Sequence, residues 1–167
     1  MKKWFEPSTP EEMPSEPWLN KAALAYLATI TLPTSNVLEH GSGGSTLWFA
    51  KNAGHVTSIE SDPEWYKEVL RRKTGAHLVL WDQRSLPKLD PPYDLLLIDG
   101  EPVENRILYL KEARRLVKPG GWVVLDNCNR PEYAEERAFL QKLAEQSTIF
   151  STRIGLYLNT EFFRLRL

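Results

Sequence analysis

Acidic residues recur at places where a nucleotide-like ligand could use them. Glu39 precedes a glycine run in Glu39-His40-Gly41-Ser42-Gly43-Gly44-Ser45-Thr46. Glu60 follows Gly41 by nineteen residues, and Asp82, Asp99 and Asp126-Asn127 each close a further apolar stretch. Glycines let the backbone turn tightly and approach a ligand, and the start of a following helix offers free N–H groups. A carboxylate in the position of Glu60 can accept both ribose hydroxyls. One in the position of Asp82 can accept from the exocyclic amine of adenine. The competing reading of each is an exposed acid at a strand end.

Two cofactor classes fit such a loop. A dinucleotide fingerprint asks for a third glycine where Thr46 stands, and a carboxylate such as Glu39 would sit badly beside a pyrophosphate. A ligand with an α-amino group and a sulfonium welcomes Glu39. S-adenosylmethionine is therefore favoured over NAD, with an NAD-dependent oxidoreductase as the competing enzyme class.

These residues need elements to hold them. Residues 18–31 carry Leu19, Ala22, Ala23, Tyr26, Leu27 and Ile30 on one helical stripe, and Pro33 stops the helix. Val37–Glu39 reads as a short strand and Ser45–Asn52 as a helix ended by Gly54. Val56–Glu60 reads as a second strand. Ser61-Asp62-Pro63-Glu64 opens a helix to about Thr74, with a cap, a first-turn proline and an acid at the positive end. His77–Trp81 and Tyr93–Ile98 read as strands, the second buried on both faces because its apolar run is continuous. Val103–Val117 is a predicted helix, Lys118-Pro119-Gly120-Gly121 a turn and Trp122–Leu125 a fifth strand. Pro131–Gln146 reads as a helix. Residues 147–154 and 156–166 read as two strands hinged at Gly155. The alternation predicts an α/β chain: a Rossmann-like, doubly wound, mostly parallel sheet with a C-terminal antiparallel hairpin at its edge. Ligands of such sheets bind beyond the carboxyl ends of the strands.

The chain has 167 residues, one domain's worth, with 42% hydrophobic and 26% charged residues, which excludes wholesale disorder. A net charge of −1 argues against a dedicated nucleic-acid binder. The single Cys128 excludes an internal disulfide and fits a reducing compartment. No apolar run approaches the ~18 residues of a membrane span. A cytoplasmic location is the expectation. Residues 1–17 stand apart, with four prolines and four glutamates. They read either as a loosely ordered arm or as an arm folded over a pocket, anchored by Trp4, Phe5 and Trp18. Residues 18–167 are expected to form one domain.

The sequence resembles the class I S-adenosylmethionine-dependent methyltransferases over residues 35–167. Val37-Leu38-Glu39-His40-Gly41-Ser42-Gly43 is similar to the first motif of that superfamily, and Ile59-Glu60-Ser61-Asp62 to the ribose-binding second. Tyr93–Gly100 is similar to the fourth-strand motif, and Leu116–Trp122 to the turn before the fifth strand. The resemblance implies that Glu39 and Gly41 hold the amino-acid end of the cofactor beside Gly43, Glu60 the ribose and Asp82 the adenine. Asp99 would lie nearest the transferred methyl.

Asp99 ends the fourth predicted strand and Asp126-Asn127 the fifth. As neighbours about 4.8 Å apart, these strands would bring three oxygen ligands together, a set suited to Mg²⁺ or a similar divalent ion. This resembles the metal site of catechol-type and macrocin-type O-methyltransferases. The alternative is that Asp99 caps a loop and Asp126-Asn127 form a turn. The catechol pattern places a lysine base where Pro102 stands, leaving Glu101 and His40 as candidates. Asp90-Pro91-Pro92-Tyr93 is similar to a nucleic-acid amino-methyltransferase signature, but it precedes the fourth strand instead of following it. His55, His77 and Cys128 carry no expected chemistry, and Trp81 could pack beside adenine. A small-molecule or sugar oxygen is the expected acceptor. With short loops after the fourth and fifth strands, the arm or a second subunit of a homodimer would cover the site. The non-enzyme alternative is a degenerate, cofactor-binding partner protein.

Overall fold

The first three α-helices begin where a local side chain meets free backbone groups. The structure is a computed structural model in which residues 9–83, 85–151 and 159–166 are described. Asn20 caps α1 (Lys21–Ile30) by accepting from Ala23 N at 2.9 Å. β1 (Asn36–His40) leads into α2 (Gly44–Asn52), where the Thr46 hydroxyl reaches back to Gly43 N at 2.9 Å. β2 (His55–Glu60) leads into α3 (Pro63–Arg71), capped by Asp62. β3 (His77–Leu80), β4 (Tyr93–Ile98), α4 (Val103–Leu116), β5 (Val117–Leu125), α5 (Ala134–Leu143), β6 (Ala144–Phe150) and β7 (Thr160–Leu165) complete the order.

The seven strands lie in the order β3-β2-β1-β4-β5-β7-β6. β1 pairs in parallel with β2 on one side and β4 on the other, so the strand order reverses there and opens a crevice at the carboxyl edge. β4 pairs with β5 in parallel, and β7 pairs antiparallel with both β5 and β6. The Rossmann-like architecture is as expected, with one refinement. The reversed strand is not the edge: β7 is inserted between β5 and β6, and the edge strand β6 runs with the parallel set.

Alternation along β1 divides the core. Val37 joins Ala23, Leu27 and Phe49 on the α1–α2 face, whereas Leu38 joins Ile98, Tyr109 and Leu110 on the α4–α5 face. In β4, Leu95, Leu96, Leu97 and Ile98 are all buried, as the unbroken apolar run predicts. Burying each such side chain contributes about 2 kcal/mol.

Several boundaries move, most of all around β5, α5 and the last two strands. Lys118–Gly121 does turn, but inside β5: Tyr93 pairs with Val117 and Leu95 with Trp122, so the intervening residues bulge out. The last predicted helix ends at Leu143, and Ala144, Glu145 and Gln146 belong to β6. β6 stops at Phe150 and β7 starts at Thr160. The predicted hinge at Gly155 lies outside the described residues, as do Trp4 and Phe5 of the arm. Among the described residues, no helix is long and apolar enough to cross a membrane.

Candidate functional site

The loops after β1 and β4 meet backbone to backbone. Gly41 has φ +93°, and a Cβ there would lie 2.4 Å from Gly100 Cα. Both Asp99 N and Gly100 N donate to His40 O, at 3.0 and 2.7 Å. Only glycine permits both the conformation and this approach.

Glu60, at the end of β2, reaches under the glycine loop. Its Oε2 accepts from Ser42 N at 2.8 Å and from Ser42 Oγ at 2.9 Å. Its Oε1 accepts from Ser61 N and Asp62 N, both at 2.8 Å. Burial pushes its pKa up, against the pull of these donors. Glu39 is fully buried on the α2 side of β1. Its Oε2 accepts from Thr46 Oγ1 at 2.5 Å and Ser58 Oγ at 2.6 Å, while its Oε1 has no partner. Desolvation raises its pKa to about 7, with the Ser45, Ser58 and Thr46 hydroxyls opposing in that order. Asp82 is exposed just beyond β3.

The arm reaches this edge by a different anchor. Trp18 is 39% exposed, but Met13 is buried with Leu47 and Val69. A Cβ on Gly44 would lie 2.6 Å from Pro14 O and 2.4 Å from Glu16 O. The arm backbone therefore lies against the first turn of α2.

Asp99 and Asp126 extend β4 and β5, with Asp126 N donating to Ile98 O at 3.1 Å. Asp126 Oδ1 accepts from Thr160 Oγ1 of β7 at 2.6 Å. Burial raises the pKa of Asp99 well above the ordinary carboxyl range. The charge of Asp126 adds to this, as do those of Glu39 and Glu101, while Arg106 opposes. Burial also raises Asp126. Asn127 takes a left-handed φ of +50° beside the pair. Its amide oxygen accepts from Arg106 Nη1 at 3.2 Å. Among the described residues, no three His, Cys, Asp or Glu side chains gather as metal ligands.

Arg106 was not singled out by sequence. It lies three positions into α4 and is only 1% exposed. Its Nε donates to Gly100 O at 2.8 Å, Nη1 to Asp126 O at 2.9 Å and Nη2 to Asp99 O at 2.6 Å. One guanidinium thus ties the ends of β4 and β5 together, using the rigid fork that lysine lacks. No sequence signal beyond its nearness to Asp99 could have marked it.

Two expectations change. His40, a candidate base, is instead the last residue of β1, buried and stacked on Tyr109 at 4.4 Å between ring centroids. Burial, reinforced by Arg106, pushes its pKa down to about 3, so it stays neutral in the core. Trp81 packs edge-on against His40 and Tyr109 in that core. Cys128 is buried, its thiol pushed up to about 12 by burial first and Glu161 second. Asp90–Pro92 precedes β4, on the opposite edge from the site.

Comparison with known proteins settles the family. Residues 38–128, from β1 through the end of β5, match the family described as a methyltransferase domain. The chain belongs to this methyltransferase family. It is 35% identical over 108 residues to a catechol O-methyltransferase of Mycobacterium tuberculosis. That match covers 56% of this chain and 48% of the relative, so the chain spans about half the length of the curated relative it matches. Among solved structures, a methyltransferase from Pyrococcus furiosus has a TM-score of 0.65 at 19% identity, covering 91% of this chain and 89% of that one. The N-methyltransferase NodS of Bradyrhizobium japonicum has a TM-score of 0.60 at 19% identity, covering 87% and 94%. At these identities the methyltransferase structures support the shared fold alone.

Proposed function

We propose that this methyltransferase domain binds S-adenosylmethionine and transfers its methyl group to an oxygen of a small molecule or sugar. The observation that carries this reading is the acidic surround of the glycine loop. The charges of Asp126, Glu39 and Glu101 each raise the proton affinity of Asp99. Such a surround favours a guest with a sulfonium and an α-ammonium and disfavours a pyrophosphate, which also sets the nicotinamide alternative aside. Glu60 would accept from the ribose, and the unpartnered Oε1 of Glu39 leaves an acceptor for the amino-acid end beside Gly41 and Gly43. Asp82 borders the adenine side. When bound, the cofactor supplies a methyl on a positive sulfur, open to in-line attack. The chain's contribution is to align the acceptor and exclude water. Asp99 would act in one of two ways: without a metal its carboxylate, with its raised pKa, takes the acceptor's proton, and with a metal it is a ligand instead.

The oxygen acceptor is supported by the catechol O-methyltransferase relative and by the Asp99, Asp126 and Asn127 oxygens. Two adjacent carboxylates that hold protons tightly fit a hard divalent ion such as Mg²⁺. Asn127 would be the third ligand, through an oxygen that already accepts one Arg106 N–H. There the ion would orient the oxygens of the acceptor.

Calorimetric titration with S-adenosylhomocysteine tests this, with and without Mg²⁺. Micromolar binding that is lost in Glu60→Ala supports the cofactor site, and absence of binding to the parent chain overturns it. For the acceptor half, Asp99→Asn should lower methyl transfer to a responsive phenol or sugar about 100-fold. Its affinity for S-adenosylhomocysteine should be unchanged.

A further inference from the structure

Glu60 has no acceptor to spare. An ionised carboxylate offers about four lone-pair sites, and the chain fills them with Ser42 N, Ser42 Oγ, Ser61 N and Asp62 N. The donors are not equivalent. Ser61 and Asp62 lead directly into α3, whose first turn Asp62 caps through Glu64 N at 2.8 Å and Trp65 N at 3.1 Å. Those two N–H groups are fixed by the helix. Ser42 belongs to the glycine loop, between Gly41 and Gly43, and both of its donors converge on the single oxygen Oε2. An N–H and an O–H from one residue on one carboxylate oxygen present the same hydrogen-bonding demand as the vicinal hydroxyls of a ribose.

We propose that Ser42 is an internal competitor for the ribose-binding acid, so that a ribonucleoside cofactor binds by displacing the Ser42 hydroxyl from Glu60 Oε2. This deepens the cofactor reading above and rests on it. Ser42 then sets cofactor affinity without needing to touch the cofactor. The Ser42–Glu60 hydrogen bond stabilises the empty loop, and binding must give it up. Removing the hydroxyl weakens the empty state and leaves the bound state unchanged. The substitution therefore tightens binding, opposite in sign to the loss expected when an ordinary contact residue is truncated.

The test is titration of S-adenosylhomocysteine into the parent chain, Ser42→Ala and Ser42→Thr. One net hydrogen bond to the ionised carboxylate corresponds to a fall in Kd of about ten- to a hundredfold for Ser42→Ala. Ser42→Thr restores the hydroxyl and should keep the parent Kd within about twofold. An alanine variant that binds as the parent does, or more weakly, overturns the proposal. So does a threonine variant that tightens as much as alanine, because the effect would then come from a loosened loop. If neither the parent nor Ser42→Ala binds, the cofactor reading itself fails and the competition falls with it.

Discussion

The two halves of the carboxyl edge use the same residue types in opposite ways. On the β1–β2 side, Glu60 is surrounded by donors: four N–H or O–H groups converge on its two oxygens. On the β4–β5 side, Asp99 and Asp126 face each other, and the nearby guanidinium of Arg106 directs its shortest bonds to main-chain carbonyls. The first arrangement holds a loop in place. The second holds the backbone and leaves the carboxylates competing for a proton. A strand-end acid is therefore defined by what its neighbours donate, and the sequence shows the acid without its neighbours.

Substitutions on each side can break or sharpen that contrast. The largest effect is expected for Arg106→Met, which strips donors from the carbonyls of Asp99, Gly100 and Asp126. It should cost about 3–5 kcal/mol in urea unfolding. A loss below about 1 kcal/mol would show that the guanidinium does not hold the β4–β5 side. Gly41→Ala comes next. It adds a Cβ 2.4 Å from Gly100 Cα at a φ of +93°, and about 3 kcal/mol should be lost. Near-parental stability would mean that the two halves are not locked together at these glycines.

Glu39→Gln separates burial from hydrogen bonding through its pH dependence. The folded pKa of Glu39 is about 7, above its ordinary value of 4.5. The native chain therefore binds the extra proton between these values, and stability is lost as pH rises through that window. Relative to Glu39→Gln, the parent should lose about 2–3 kcal/mol between pH 4.5 and 8. Parallel stability curves for the two chains would show that the Ser45, Ser58 and Thr46 hydroxyls fully offset the burial of the charge. The smallest effect belongs to a control outside both halves. Lys67 pairs with Glu64 at 2.7 Å on the exposed face of α3, and Lys67→Ala should change stability by no more than about 0.5 kcal/mol. A larger loss there would mean that general destabilisation, not the site, governs the series.

The β1–β2 half was the more legible in sequence because its chemistry is local. Gly41, Gly43 and Glu60 sit where a strand-to-turn pattern places them, and β4 was read at its observed boundaries from one unbroken apolar run. Asp99 and Asp126 were expected to be neighbours, and the pairing of β4 with β5 makes them so. What escaped depends on distance along the chain. Arg106 acts on residues twenty positions away, and His40 turns into the core only because α4 brings Tyr109 beneath it. α5 was drawn too long because Ala144-Glu145-Gln146 carries no glycine or proline to end it. Pairing with β7, not local propensity, makes those residues a strand.

The insertion of β7 between β5 and β6 bears on how the chain is completed during synthesis. The ribosome releases β6 before β7, so β6 emerges with no neighbour to pair with, and the flank of β5 stays open. The last of the described strands to appear closes both gaps at once. It also delivers Thr160 to the Asp126 carboxylate. The acidic pair beyond β4 and β5 is therefore complete only once β7 has joined the sheet, so closing the sheet and finishing that pair are one event.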